Sequence, residues 1–169
     1  LPWVHPGLNS YSRLEDHYNI ESYGQFSGQG TTVYRQLKDD DGDTFPDFPD
    51  AGPKWGEQAE YIAVYPNVLL GVQRDQAFAI ILEPKGTEQT VEHIHLYYAT
   101  STTKPSLRTT NTQMWKSVFE EDIFVVEGMQ RGRHVHGFDG GRFSPVMDSP
   151  THCFHDWVAS QVEIYRSSK

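Results

Sequence analysis

The apolar pattern of this chain changes period once, near Pro105, and that change constrains the fold more than any other feature. Residues 60–73 are rich in Ile, Val, Tyr and Leu, Arg74-Asp75-Gln76 is a turn candidate, and 77–83 return as a second apolar strand. Pro84-Lys85-Gly86-Thr87 turns the chain again into a third strand over 88–100. Three strands with such short connections predict an antiparallel sheet. Beyond Pro105, Trp115, Val118, Phe119, Ile123, Val126 and Met129 follow helical spacing, which predicts an amphipathic helix over about 111–131. Residues 133–146 are a Gly- and Pro-punctuated loop. Asp148-Ser149-Pro150 then opens a second helix, with Ser149 as cap candidate and Phe154, Trp157, Val158 and Tyr165 as its buried stripe. A sheet followed by two helices is an α+β arrangement.

Upstream the signals are weaker. Residues 1–30 are polar, aromatic and Gly-rich without a sustained period, and 31–37 have the β-branched and aromatic character of a strand. The stretch 38–53 is a Pro-, Gly- and Asp-dense loop. Asp39, Asp41 and Asp43 mimic the start of a calcium loop. The sixth position is Thr44 instead of Gly and the twelfth is Asp50 instead of Glu, so a solvated loop is the expected reading.

The chain has 169 residues with 37% hydrophobic side chains, enough for one domain with a real core. No apolar run approaches the roughly 18 residues of a membrane helix. A formal charge of −9 argues against a nucleic-acid partner, which would require clustered cations. The single cysteine, Cys153, cannot form an internal disulfide, which fits a reducing, cytoplasmic setting. Neither a Gly-x-Ser-x-Gly elbow nor a phosphate-binding glycine loop is present. Residue 1 is Leu, and the chain is expected to be a piece of a longer protein.

The most informative single residue is Asp122. At about 100° per residue it projects into the middle of the stripe formed by Trp115, Val118, Phe119, Val126 and Met129, whereas Glu120, Glu121 and Glu127 are expected to face water. An unpaired carboxylate there would cost several kcal/mol, so it needs a cation, a hydrogen-bond cluster or a metal. Among the histidines, His93 and His95 share a strand face but lack an acidic ligand at a plausible spacing, and a solvated or pocket-lining role is expected. His134 and His136 fall in a loop. His152 and His155 open the last helix, where a metal is the less expected reading. His5 alone says little.

Taken together, several segments resemble the catalytic domain of the large subunit of Rieske-type non-haem iron oxygenases, the ring-hydroxylating family. The opening Leu1-Pro2-Trp3-Val4-His5-Pro6-Gly7-Leu8 resembles the end of that family's paired-histidine iron motif. The segments 61–71 and 79–84 resemble its central sheet. Phe119-Glu120-Glu121-Asp122-Ile123, running on to Gln130-Arg131-Gly132, resembles the segment that supplies its carboxylate ligand, and 138–145 is similar to its tail.

The resemblance implies a helix-grip (START/Bet v 1-like) fold, a curved antiparallel sheet packed on a long C-terminal helix, with residues 1–169 forming one N-terminally truncated catalytic domain. It implies that His5 and Asp122 hold a mononuclear Fe(II) and that Trp115, Val118 and Phe119 line the substrate pocket. The first histidine ligand would lie five positions before His5, upstream of Leu1, as would a domain carrying a [2Fe-2S] Rieske cluster. The implied enzyme is a terminal oxygenase that uses O2, with electrons from a reductase or ferredoxin. It would hydroxylate an aromatic ring or oxidatively demethylate a small substrate, a quaternary amine included, for which Tyr61, Tyr65, Tyr97 and Tyr98 are candidate cage residues. The full-length protein is expected to be a homo-oligomer, a trimer by family analogy, and this stretch by itself inactive. The competing reading is a non-catalytic helix-grip module that holds an apolar small molecule.

Overall fold

The computed structural model describes Val4, His5 and residues 14–169. Of the opening motif, only Val4 and His5 lie within the described residues. Six strands form a single antiparallel meander in the order β1 to β6: β1 (His17–Ser22), β2 (Phe26–Thr31), β3 (Ala59–Val64), β4 (Val68–Val72), β5 (Gln76–Pro84) and β6 (Thr90–Tyr98). Two helices follow, α1 (Pro105–Arg133) and α2 (Ser149–Ser167). This is the expected α+β arrangement of an antiparallel sheet packed on long C-terminal helices.

The strand boundaries correct the sequence reading in three places. The stretch 60–73 is two strands, because Pro66 has no N–H to continue a ladder and the chain reverses through Tyr65-Pro66-Asn67. Asn67 Nδ2 ties that turn to Leu82 O at 2.9 Å. A hairpin also lies inside 1–30. Ser22 and Phe26 pair across a three-residue turn in which Gly24 takes a φ of 81°. Glycines on β2 hide its pattern from the sequence: a Cβ on Gly28 would stand 2.1 Å from Tyr61 O. Finally, only Thr31 of the expected strand 31–37 belongs to the sheet. The chain leaves it at Thr32, and the Tyr34 side chain turns into the core, where its hydroxyl donates to Asp75 Oδ1 at 2.8 Å.

Helix α1 begins at Pro105, whose missing N–H costs nothing in a first turn, and ends with Arg131 and Arg133 beside its free carbonyls. It docks on β5 through an aromatic cluster. The Phe78 ring meets Trp115 at 4.6 Å and Phe119 at 5.3 Å, both edge-on, while Trp115 and Phe119 stack at 5.5 Å. Ile80 completes the buried centre. Polar links flank it: Trp115 Nε1 donates to Gln76 Oε1 at 2.9 Å, and one turn earlier Asn111 Nδ2 donates to Tyr98 OH at 3.2 Å.

Helix α2 rests on β1 and β2. Phe154 and Trp157 pack on Tyr65, and Ser27 Oγ donates to Pro150 O at 2.7 Å. Ser149 is not the cap. It is the first helical residue, following the cap position Asp148, and its hydroxyl bonds Asn19 and Glu21 on β1.

The far turns of both helices depart from the expected stripes. Ile123, Val126 and Met129 on α1, and Val158 and Tyr165 on α2, are exposed. The geometry explains Val126 and Met129: 29 residues make a helix about 43 Å long, against about 30 Å for a nine-residue strand, so the last turns of α1 pass the sheet. Gln130 accordingly bonds Glu88 in the β5–β6 turn, beyond the strand ends.

No described helix is long and apolar enough to cross a membrane.

Candidate metal centre

Asp122 lies midway along α1, and the chain fold brings His5 against it. His5 Nε2 is 3.1 Å from Asp122 Oδ1, and His5 Nδ1 is 2.8 Å from Glu121 Oε2. The His5 side chain is 14% exposed and that of Asp122 50%, so the ring is enclosed and the carboxylate keeps an open side. Burial raises the Asp122 acid above its ordinary range; His5 opposes that shift and Glu121 adds to it.

Glu121 corrects the helical-wheel expectation. Glu120 and Glu127 do face water, near Lys116 and Arg131 on the same helix. Glu121 instead turns to His5. Consecutive helical residues diverge by about 100°, so Glu121 and Asp122 straddle one ring between them. Two adjacent acids beside an apolar stripe were the available signal.

The arrangement suits a divalent metal. Two cis ligands each about 2.1 Å from an ion lie about 3.0 Å apart in an octahedron, close to the observed 3.1 Å. One imidazole flanked by two carboxylates also leaves a surplus of negative charge for a cation to balance.

Trp115, Val118 and Phe119 precede Asp122 on the same helix. Trp115 is buried, and the other two are partly buried against the Phe78–Ile80–Trp115 cluster. The four candidate cage tyrosines do not converge. Tyr98 stacks on Phe45 at 4.9 Å, Tyr65 packs under α2, Tyr61 lies 6.3 Å from Phe78, and Tyr97 is 52% exposed.

The other histidines form no comparable group among the described residues. His93 pairs with Glu83 at 2.8 Å on an exposed face, where His95 is also exposed. His134 pairs with Glu88 at 3.3 Å and His152 with Asp156 at 3.2 Å, while His155 meets the edge of Phe143. Asp39, Asp41 and Asp43 do converge, but Lys104 Nζ already stands 2.9, 2.6 and 2.9 Å from their carboxylates. That ammonium supplies the positive charge a calcium ion would bring. Cys153 is buried, and burial pushes its thiol up, away from a reactive thiolate.

The sheet order, the two helices and the meeting of His5 with Asp122 define a helix-grip domain with a one-sided histidine–carboxylate pair. The family model described as "Ring hydroxylating alpha subunit (catalytic domain)" matches residues 1–164. The chain belongs to that family, a family of oxidoreductases. Two similar solved structures are of the quaternary ammonium Rieske monooxygenase CntA. The complex with its substrate L-carnitine is 18% identical with a TM-score of 0.57, and the match covers 81% of this chain and 32% of that one. The complex with the inhibitor MMV12 is 16% identical with a TM-score of 0.58, covering 79% and 33%. The chain thus spans about a third of the length of these structures. No curated protein matches it.

Proposed function

We propose that this chain is the catalytic domain of a terminal oxygenase and that His5 and Asp122 hold its mononuclear Fe(II). The observation that carries the reading is the 3.1 Å approach of His5 Nε2 to Asp122 Oδ1. One imidazole and one carboxylate on one side of the ion are two members of a facial triad, whose open positions take oxygen and substrate. A second histidine, five positions before His5, would complete the triad. When bound, the iron supplies oxygen activation with electrons relayed from a Rieske cluster on a preceding domain and, beyond it, a reductase or ferredoxin.

The chain's own residues bind and shape. Asp122 brings the negative charge that retains a divalent ion. His5 brings a nitrogen donor in an enclosed position. Val118 and Phe119, one turn before Asp122, form the adjoining apolar wall, with the buried Trp115 ring stacked behind Phe119. That wall keeps water from the reacting substrate and presents aromatic faces to it. An arene can stack on those faces, and a quaternary ammonium group can sit over them by cation–π attraction. The substrate is accordingly a small molecule of one of these two kinds, the second being that of CntA. The full-length protein is proposed to work as a homo-oligomer in the cytoplasm.

Iron analysis of the full-length protein and its Asp122→Ala variant tests the assignment. The variant should lose its mononuclear iron and its turnover while keeping the Rieske cluster. Full iron and activity in the variant would overturn the oxygenase assignment of this pair and favour a ligand-holding module.

A further inference from the structure

Resting on the iron reading, we propose that Glu121 is the positioning residue for His5: it accepts the Nδ1 hydrogen of the ring and so turns the Nε2 lone pair toward the metal position beside Asp122. Each ring nitrogen faces its own carboxylate. His5 Nε2 faces the proposed ligand Asp122 at 3.1 Å, whereas Nδ1 makes a 2.8 Å hydrogen bond to Glu121 Oε2. A neutral imidazole has one N–H and one lone pair. With a metal ion on Nε2 the hydrogen must sit on Nδ1, and Glu121 is the acceptor in place there.

The helix makes this arrangement economical. Glu121 and Asp122 leave the axis about 100° apart, so one clasps each nitrogen. Rotation of the ring is then resisted from both sides. Glu121 is also set apart from its neighbours: its side chain is 34% exposed, against 60% for Glu120 and 64% for Glu127, which pair along the helix surface. A carboxylate acceptor behind a metal-binding histidine fixes its tautomer and raises its basicity, and losing such a partner typically weakens metal binding about 10–100-fold.

Fe(II) affinity of the full-length protein, measured anaerobically by chelator competition, tests the inference. Glu121→Ala and Glu121→Met, the second keeping the side-chain length without an acceptor, should each weaken Fe(II) binding about 10–100-fold. Glu121→Gln, which retains an acceptor oxygen, should recover most of the loss. In the Co(II)-substituted protein, the exchangeable Nδ1 hydrogen of His5 should give a shifted proton resonance in the wild type and Glu121→Gln, and disappear by exchange in Glu121→Ala. Wild-type affinity in both acceptor-free variants, with iron lost in Asp122→Ala, would overturn the role of Glu121 and leave the iron site standing. Iron retained in Asp122→Ala would overturn the site itself and this inference with it.

Discussion

The indole N–H of Trp115 donates to Gln76 Oε1 at 2.9 Å in the interior, pinning α1 to the first residue of β5. Gln76 Nε2 in turn donates to Tyr34 OH at 3.0 Å. Gln76→Leu would strand the Trp115 donor without water, at a cost of about 1–3 kcal/mol. Trp115→Phe removes the same bond and some packing. The two changes share one interaction, so the double variant should lose less than the sum in urea unfolding. Strict additivity would mean that the bond contributes nothing.

Asp75 is fully buried, and burial raises its acid above the ordinary 3.8 despite the Tyr34 hydrogen bond. A carboxyl that is harder to ionise when folded loses stability as pH rises from below 3.8 through its folded value. Asp75→Asn keeps an oxygen acceptor for Tyr34 and cannot ionise. Its melting temperature relative to wild type should therefore climb as the pH is raised from about 3 past 3.8 toward neutrality, levelling off once the folded acid ionises. A constant difference across that range would show that Asp75 does not titrate with folding.

The Lys104 clasp has the opposite sign. Its hydrogen bond holds the Asp39 acid down at about 2, against 3.8 for the free group. Stability from this pairing is complete above 3.8 and fades as pH falls toward about 2. Lys104→Met should be less stable than wild type at neutral pH, and the gap should close over that acid interval. Melts recorded from pH 7 downward check it, and a gap that persists below pH 2 would assign the loss to packing instead of charge.

The parts of the fold legible in the sequence were those written as periods. Phe78 and Ile80 alternate on β5, and Trp115, Val118 and Phe119 repeat on α1, so the central strands and the long helix could be placed. The β1–β2 hairpin was not legible, because Gly28 and Gly30 stand where apolar residues would mark a face. Glycine is needed there because Tyr61 O and the Tyr18 ring approach too closely for a Cβ. At the site, Asp122 was legible as an acid on an apolar stripe. Glu121 was not: one helical wheel centred on Trp115 cannot show that a segment over a hundred residues away wedges between neighbouring acids. The exposed Val126 and Met129 show the same limit from the other side, since a period marks an apolar face without saying what covers it.

Two glycines should respond in opposite directions to the same substitution. A Cβ on Gly28 would lie 2.1 Å from Tyr61 O and 2.8 Å from Ile62 Cα, both backbone atoms of the adjoining strand. Neither can move without parting β2 from β3, so Gly28→Ala should destabilise by about 1–3 kcal/mol or more. On α1, a Cβ on Gly128 would meet only Arg131 Nη2, at 3.9 Å. Alanine there restricts the unfolded chain and favours helix, so Gly128→Ala should stabilise by about 0.5–1 kcal/mol. Paired denaturant titrations check both signs. Equal destabilisation by the two would place Gly128 against something other than solvent and its own helix, and a neutral Gly28→Ala would contradict the close β2–β3 approach.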